Sequence, residues 1–200
     1  MVVAVQPRIR LTRSFDERSH SYIGYALLVR GEVGGETREF SVGIGPETHA
    51  QHGIRIGDAV SGVCEPIADP RLETVEFYKV SGLTVEHGAP EGAPTPPPWH
   101  GIPPDQAVYR TRGSRRLDAR TYASKCRTCI WGCEMAVEMI IDHWKPSVRR
   151  YRAEAFCYGP KSSWLYRPGR NRVVPGRRGM SYLEEDWVDE EETRHRSPDE

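Results

Sequence analysis

The sequence lacks the features that define several common protein classes. No run approaches the roughly 18 consecutive apolar residues of a membrane-spanning helix. The N-terminus has no charged segment followed by a long apolar core, so we expect no signal peptide and a cytoplasmic protein. The motifs G-x-x-x-x-G-K-[ST], H-E-x-x-H and G-x-S-x-G are missing. These absences favour a non-enzymatic protein without deciding the point.

The composition contains equal numbers of acidic and basic residues, but they are not evenly distributed. Residues 145–178 carry ten Lys or Arg and one acid, a net charge of +9, whereas residues 181–200 carry nine acids and two Arg, a net charge of −7. A basic block of this size is a plausible contact surface for a polyanion. The acidic block is expected to form a flexible tail, or to imitate that polyanion within the chain.

The first 87 residues show the alternation of apolar and polar side chains that is typical of half-buried strands. In the first segment, Ile9 and Leu11 fall on one face and Arg8 and Arg10 on the other. Because strand side chains alternate between two faces, this pattern predicts a strand with a basic outer surface. The same reasoning predicts five strands, at residues 8–15, 22–30, 38–44, 59–64 and 74–85.

The run G-D-x-V-x-G at residues 57–62 is similar to the turn that often opens the fourth strand of an OB-fold. On this motif and the five strands, residues 5–86 resemble an OB-fold. The resemblance implies a small closed barrel with one face that binds single-stranded nucleic acid through aromatic and basic side chains. The candidates are Arg8, Arg10, Arg13, Tyr22, Tyr25, Phe77, Tyr78 and Lys79. The alternative is that the aromatic residues fill the barrel and the arginines keep a strand edge soluble.

A proline-rich segment separates this module from the rest of the chain. Residues 88–105 contain seven prolines, which exclude a helix or a central strand and favour a stiff linker. We therefore predict an α+β protein with four parts. They are an OB-like five-stranded β-barrel (1–87), a linker (88–105), a four-cysteine metal module with one main helix and a basic aromatic arm (106–180), and an acidic flexible tail (181–200).

Four of the five cysteines lie close together in the second module. Cys126, Cys129 and Cys133 follow the spacing C-x2-C-x3-C, and Cys157 comes later. In a chain without a signal peptide, such clustering favours a metal site over disulfides. Four thiolates at about 2.3 Å would satisfy zinc, and the same set is compatible with a 4Fe-4S cluster. Cys64 is predicted to be a buried apolar residue.

The sequence leaves several alternatives open at this site. His143 could replace one cysteine in a zinc site. The cysteines also continue into an apolar stripe that ends at Trp144, so a metal-free core or a redox dithiol is a third interpretation. We predict a turn at Gly132, followed by a helix that ends at Trp144 before Pro146.

The basic block interleaves cations with aromatic residues, which suits a phosphate backbone with exposed bases. The leading prediction is therefore a protein that binds single-stranded or structured RNA or DNA. Its proposed contacts are Arg8, Arg10, Arg149, Arg150, Arg152, Tyr158, Lys161, Trp164 and Arg167. One alternative is an iron-sulfur enzyme or electron-transfer subunit, and another is an assembly scaffold. In the scaffold, the linker or the tail would contact a protein partner.

Overall fold

The computed structural model describes residues 1–88 and 97–200. The strands are β1 (Val2–Arg13), β2 (Arg18–Val33), β3 (Glu36–Ile44), β4 (Ala59–Pro66), β5 (Phe77–Glu86), β6 (Arg115–Arg116), β7 (Gly132–Ile140), β8 (Arg149–Cys157), β9 (Arg172–Pro175) and β10 (Ser181–Glu184). The helices are α1 (Pro46–His52), α2 (Gln106–Arg112), α3 (Ala119–Thr121), which continues into a π-helical turn (Tyr122–Cys126), and α4 (Asp186–Glu192). A short 3-10 turn (Arg177–Gly179) links β9 to β10.

One mixed sheet of eight strands organises these elements, in the order β4-β5-β3-β2-β1-β7-β8-β6. β1 pairs antiparallel with β2 and parallel with β7, and β3 pairs parallel with β5 at Val42 and Phe77. A second sheet contains only β9 and β10. The large sheet therefore includes strands from both sides of the proline-rich segment.

The prediction of a closed OB-like barrel is wrong. All five N-terminal strands exist, but closure requires the two outer strands of a sheet to pair with each other. Here β4 stays at one edge of the sheet, and β1 pairs with β7 from the C-terminal half. The sheet is open because a later part of the chain occupies the position at which the barrel would close.

The predicted helix after Gly132 is also wrong, because this segment is strand β7. Its residues Cys133, Met135, Val137 and Met139 are all buried, and they alternate with Glu134 and Glu138. That alternation has the period of a strand and competes with the helical stripe seen in the sequence. Nine residue pairs with β8 and four with β1 then fix the strand within the sheet.

Each face of the sheet carries its own apolar cluster. The larger cluster includes Ile9, Leu27, Val137 and Phe156. The smaller one contains Leu117, Cys126, Cys129, Ala155 and Cys157. The loop that contains Cys126 and Cys129 thus covers the second face. Buried Gln6 holds it there through its side-chain amide, which donates to Cys126 O at 2.9 Å and to Cys129 O at 2.8 Å.

The C-terminal segment packs against the sheet. Residues 181–200, predicted as an acidic tail, contain β10 and α4. The guanidinium of Arg116 has no exposed area and contacts Asp189 at 2.9 Å and Asp186 at 2.6 Å. It also donates to Glu184 O at 2.8 Å. Three acids of this segment, Glu184, Asp186 and Asp189, therefore contact buried arginines of the same chain.

The predicted linker is described only in part. Residues 89–96 lie outside the described residues. Beyond them, Trp99 O accepts a hydrogen bond from Ile130 N at 2.9 Å, and Tyr25 Oη donates to Pro104 O at 2.8 Å. The second half of the linker therefore contacts both the cysteine loop and the sheet. None of the helices in the described ranges has the length and apolar character needed to cross a membrane.

Candidate anion-binding cleft

The four predicted metal ligands do not form one site. Cys133 pairs with Phe156 across β7 and β8, while Cys157 pairs with Gly132. Because neighbouring residues of a strand point to opposite faces, Cys133 belongs to the large cluster and Cys157 to the small one. The Cys133 thiol instead donates a hydrogen bond to Pro7 O at 3.3 Å.

The prediction of a four-cysteine metal module is therefore wrong. Within residues 1–88 and 97–200, no group of three or more His, Cys, Asp or Glu side chains is placed to hold a metal ion. His143 lies 3.5 Å from Asp16 and does not join the cysteines. Zinc and the alternative 4Fe-4S cluster stay predictions for which the described residues offer no ligand set.

Burial determines the protonation of three of the thiols. Burial raises the pKa of Cys126 to about 12 and that of Cys129 to about 11. Burial also raises the pKa of Cys133 well above its ordinary value. These three side chains are therefore neutral thiols near pH 7 in this fold, and a reactive nucleophile would need the thiolate form. Cys126 and Cys129 act here as small apolar residues of the second cluster.

Several predicted nucleic-acid contacts are committed to partners within the chain. Arg8 contacts Glu73 at 2.7 Å, and Arg10 contacts the same carboxylate. Arg149 lies 2.5 Å from Glu138. Such pairing lowers the positive charge that the predicted surface on β1 and at the start of β8 would offer to a phosphate.

The remaining predicted contacts fall into two groups. Tyr158 is fully buried in the large cluster, and Lys161 Nζ lies 3.5 Å from the carbonyls of Thr193 and Arg196. Arg150 is exposed, as are Arg167 and Trp164, the last with 64% of its area accessible. Arg150, Arg167 and Trp164, and also the exposed Lys161, are thus accessible to a macromolecule, whereas Tyr158 is not.

A cleft of about 570 Å³ lies beside the outer edge of β8. β6 has two residues and pairs with Phe156 and Cys157, so among the described residues β8 has no sheet neighbour before Phe156 on this side. β9, the loop before it and the start of α3 form the opposite walls. The ionisable residues of the lining are Arg120, Arg152, Arg170, Arg172, Asp118 and Glu154.

Both carboxylates of the cleft are already engaged. Asp118 accepts hydrogen bonds from Thr121 N at 2.8 Å and Thr121 Oγ1 at 3.0 Å, which lower its pKa. Glu154 contacts Arg172 Nη1 at 2.7 Å and also pairs with Arg152. The lining thus contains four arginines and two carboxylates, so the cleft carries an excess of positive charge.

Two of these arginines are held rigidly within the walls. Arg172 stacks on Phe156, 4.3 Å from the ring centroid, and donates to Ala155 O at 2.9 Å. Burial lowers the pKa of Arg172 to about 10, so it stays charged near pH 7. Arg152 donates to Val173 O at 3.0 Å, and its buried Nη2 has no hydrogen-bond acceptor in the described part of the chain.

Arg120 and Arg170 are exposed and form no salt bridge with any described residue. One lies on α3 and the other in the loop before β9. Arg167 precedes this loop, and its carbonyl accepts a hydrogen bond from Asp118 N at 2.9 Å. Arg167 Nη1 also donates to Trp164 O at 3.0 Å, so the backbone of Trp164, whose indole is exposed, lies beside Arg167.

Only part of this arrangement was predictable from the sequence. Arg152, Arg167 and Trp164 were among the predicted contacts, whereas Arg120, Arg170 and Arg172 were not. Arg170 and Arg172 belong to the basic block that the charge count found. Arg120 gives no local signal, because it reaches the cleft only through the packing of α3 beside β8.

Comparisons with known proteins do not identify the chain. No protein-family model, no curated protein and no solved structure matches it. The cleft is therefore interpreted from its own chemistry.

Proposed function

We propose that the protein binds nucleic acid, as single-stranded or structured RNA or DNA, with phosphate groups held in the cleft beside β8. The supporting observation is the excess of arginine in this cleft, with the side chains of Arg120 and Arg170 exposed and unpaired among the described residues. Guanidinium groups suit phosphate because their planar N–H donors match two phosphate oxygens at once. The cytoplasm remains the proposed compartment.

Trp164 is the proposed contact for a nucleic-acid base. An exposed indole near a basic cleft can stack on a base whose phosphate lies among the arginines, and stacking of this kind tolerates every base. The proposal therefore expects binding with little sequence preference. Arg167, which lies between Trp164 and the cleft along the chain, would contact the neighbouring phosphate.

The test compares two double variants that remove the same charge. The first is Arg120→Gln with Arg170→Gln in the cleft. The second is Arg30→Gln with Lys79→Gln on β2 and β5, where both side chains are exposed and paired with glutamates. Fluorescence anisotropy with a labelled 20-nucleotide single strand, from 50 to 200 mM salt, gives the affinity and its salt dependence.

The cleft variant is expected to bind more weakly and to have a flatter dependence of log K on log[salt], by about 0.7 for each lost phosphate contact. The control variant should keep the slope of the unmodified protein. Trp164→Ala should weaken binding by about 1–3 kcal/mol at an unchanged slope. Undetectable binding of the unmodified protein at 50 mM salt would refute the proposal, and equal effects of the two double variants would refute the cleft as its site.

A further inference from the structure

A cavity of about 380 Å³ lies between the turn that joins β1 to β2 and the C-terminal segment, and it shares no lining residue with the basic cleft. Three aromatic side chains line it: Phe15 from the turn, Tyr182 from β10 and Trp187 from α4. Val174 is paired with Tyr182 across β9 and β10, so both side chains point to the same face of this small sheet and both reach the cavity. The aromatic residues of three separate elements thus meet at one space.

The turn between β1 and β2 is held in place by its own hydrogen bonds and by one glycine. Ser14 N donates to Glu17 O at 2.7 Å, and Ser14 Oγ donates to Asp16 Oδ1 at 2.7 Å. Phe15 packs on Gly176, where an added Cβ would lie 3.2 Å from the Cβ of Phe15. Glycine therefore permits the close approach that brings this turn against the connection between β9 and β10.

The aromatic side chains of this cavity keep much of their surface exposed. Trp187 exposes 52% of its area and Phe15 exposes 40%, although burying such rings is one of the larger apolar gains in a fold. Elsewhere the chain covers aromatic faces with its own arginines, as Arg115 does at 3.9 Å from the ring centroid of Tyr166. Among the described residues, no Arg or Lys lies over Phe15, Tyr182 or Trp187. These rings are therefore available to a cation from outside the chain.

The charged side chains of the lining favour a cation as well. There are two arginines and four carboxylates, a net charge of −2: Arg13, Arg18, Asp16, Glu17, Glu184 and Glu191. Both arginines pair with Glu184, at 2.6 and 3.0 Å. Glu17 and Glu191 are exposed and form no salt bridge with any described residue. Glu191 follows Trp187 by one turn of α4, so the two side chains share a face of the helix.

We propose that this cavity binds a methylated ammonium group, such as that of choline or of a trimethylated lysine side chain. The cation packs against the aromatic faces, which attract it through their negative quadrupoles, and Glu17 and Glu191 add a favourable field. A primary ammonium is compact and strongly hydrated, so it loses more on leaving water and binds more weakly. The volume of about 380 Å³ falls within the range of small-molecule sites, about 300–1,000 Å³.

The test follows the indole N–H signals of the five tryptophans by NMR during titration with choline. The signal of Trp187, assigned by its loss in Trp187→Leu, should shift and saturate with a dissociation constant below about 10 mM. Choline should bind at least about fivefold more tightly than its neutral carbon isostere, dimethylbutanol, and than the primary amine ethanolamine. These comparisons separate the cation–π contribution from shape and from charge alone.

A peptide with one trimethylated lysine, compared with the same peptide carrying unmodified lysine, forms the second arm of the experiment. Both sources present the same methylated cation, and the trimethylated peptide should bind more tightly than the unmodified one. Tighter binding of this peptide than of choline would support a protein side chain as the source. Tighter binding of choline would support a free small molecule.

Two tryptophan variants test the cavity, with binding measured from the NMR signals of choline itself. Trp187→Leu keeps an apolar side chain without the ring and should weaken binding at least about fivefold. Trp144→Leu is the matched control, because Trp144 is 76% exposed and lies outside the lining. It should bind choline as the unmodified protein does.

Two pairs of glutamate variants test the field. Glu17→Gln with Glu191→Gln should weaken choline binding about threefold at low salt. Glu185→Gln with Glu190→Gln removes the same charge from exposed positions outside the lining and should have a smaller effect. Absence of a saturable shift at Trp187 would overturn the proposal, as would equal binding of choline and its neutral isostere. Full affinity in Trp187→Leu, or equal effects of the two glutamate pairs, would also overturn it.

Discussion

Cys133 and Cys157 lie on opposite faces of the same sheet, although their strands pair directly along nine residues. The separation follows from the register, in which Cys157 is opposite Gly132 and Cys133 is opposite Phe156. A shift of one residue would place both thiols on one face, because the side chains of a strand alternate. The register of β7 and β8 thus decides that these cysteines serve two different cores.

The first prediction concerns metal dependence. Because the thiols are divided between two faces of the sheet, the fold should not depend on a bound metal. Small zinc modules, by contrast, unfold when the metal is removed. A strong chelator should therefore leave the thermal midpoint unchanged within about 1 °C, a change that corresponds to far less than 1 kcal/mol. Calorimetry with and without chelator, together with metal analysis, checks this. A large fall in midpoint with release of stoichiometric metal would contradict it.

The second prediction concerns Arg116, whose guanidinium is completely buried. In Arg116→Met, Asp189 would lose the partner that lowers its pKa while the burial that raises it remains. Removing one partner of a buried ion pair typically costs about 3–5 kcal/mol of the free energy of unfolding. Denaturation in urea measures the loss.

Two further variants keep the Arg116 prediction testable if Arg116→Met does not fold. Asp186→Asn removes a partner whose side chain is 75% exposed and should cost less than about 1 kcal/mol. Arg194→Met makes the same substitution at an exposed position and should cost no more than about 0.5 kcal/mol. Similar losses in Arg116→Met and Arg194→Met would show that the buried network contributes little.

The third prediction concerns Gln6, which joins the cysteine loop to the sheet. Its amide donates to two loop carbonyls and accepts a hydrogen bond from Tyr122 Oη at 2.8 Å. Gln6→Leu should cost about 1–3 kcal/mol, because buried polar groups lose partners. It should also speed alkylation of Cys126, which lies in the loop, and leave Cys133 on the other face unaffected.

Mass spectrometry of the alkylated peptides separates these two thiols. Tyr122→Phe is the milder comparison, because it removes one hydrogen bond and should cost about 1 kcal/mol. Equal acceleration at Cys126 and Cys133 in Gln6→Leu would indicate general unfolding and contradict a local role for this amide.

The sequence predicted strands such as β3 because one face is buried and apolar residues alternate along it, as in Phe40, Val42 and Ile44. It did not predict the open sheet, because the pairing of β1 with β7 joins residues that are more than 120 positions apart in the chain. Local pattern contains no information on such a pairing. For the same reason the sequence predicted a helix where β7 lies. The pairing of this segment with β1 and β8 makes it a strand, although its sequence also has a helical apolar stripe.

The sequence predicted the candidate site only in part. The charge count found the basic block, and the structure places Arg152, Arg170 and Arg172 of that block in one cleft. The charge count could not show which cations are neutralised within the chain, since Arg8 and its partner Glu73 are 65 residues apart and Arg149 meets Glu138 only when β7 and β8 pair. The acidic block was likewise interpreted as a tail because its buried arginine partners lie far earlier in the chain, Arg116 73 residues before Asp189 and Arg13 171 residues before Glu184.

The final prediction is a loss of stability in weak acid that depends on His20. Burial, together with the charges of Arg18 and Arg13, lowers the pKa of this imidazole from 6.5 to about 4, and its Nε2 has no hydrogen-bond partner among the described residues. Above pH 6.5 the ring is neutral in both the folded and the unfolded chain. Between pH 6.5 and 4 the unfolded chain binds a proton that the folded one does not, so the free energy of unfolding falls as the pH falls.

The full effect of His20 corresponds to about 3 kcal/mol, and it stops growing below about pH 4, where the folded form also takes up the proton. His20→Phe keeps an aromatic ring beside Phe156, 6.5 Å away between centroids in the unmodified protein, and removes the titration. Urea denaturation at pH 7 and pH 4.5 should therefore show a smaller loss for His20→Phe than for the unmodified protein. His195→Gln, at an exposed position, should lose as much stability as the unmodified protein does, and an equal loss in all three would place the acid sensitivity elsewhere.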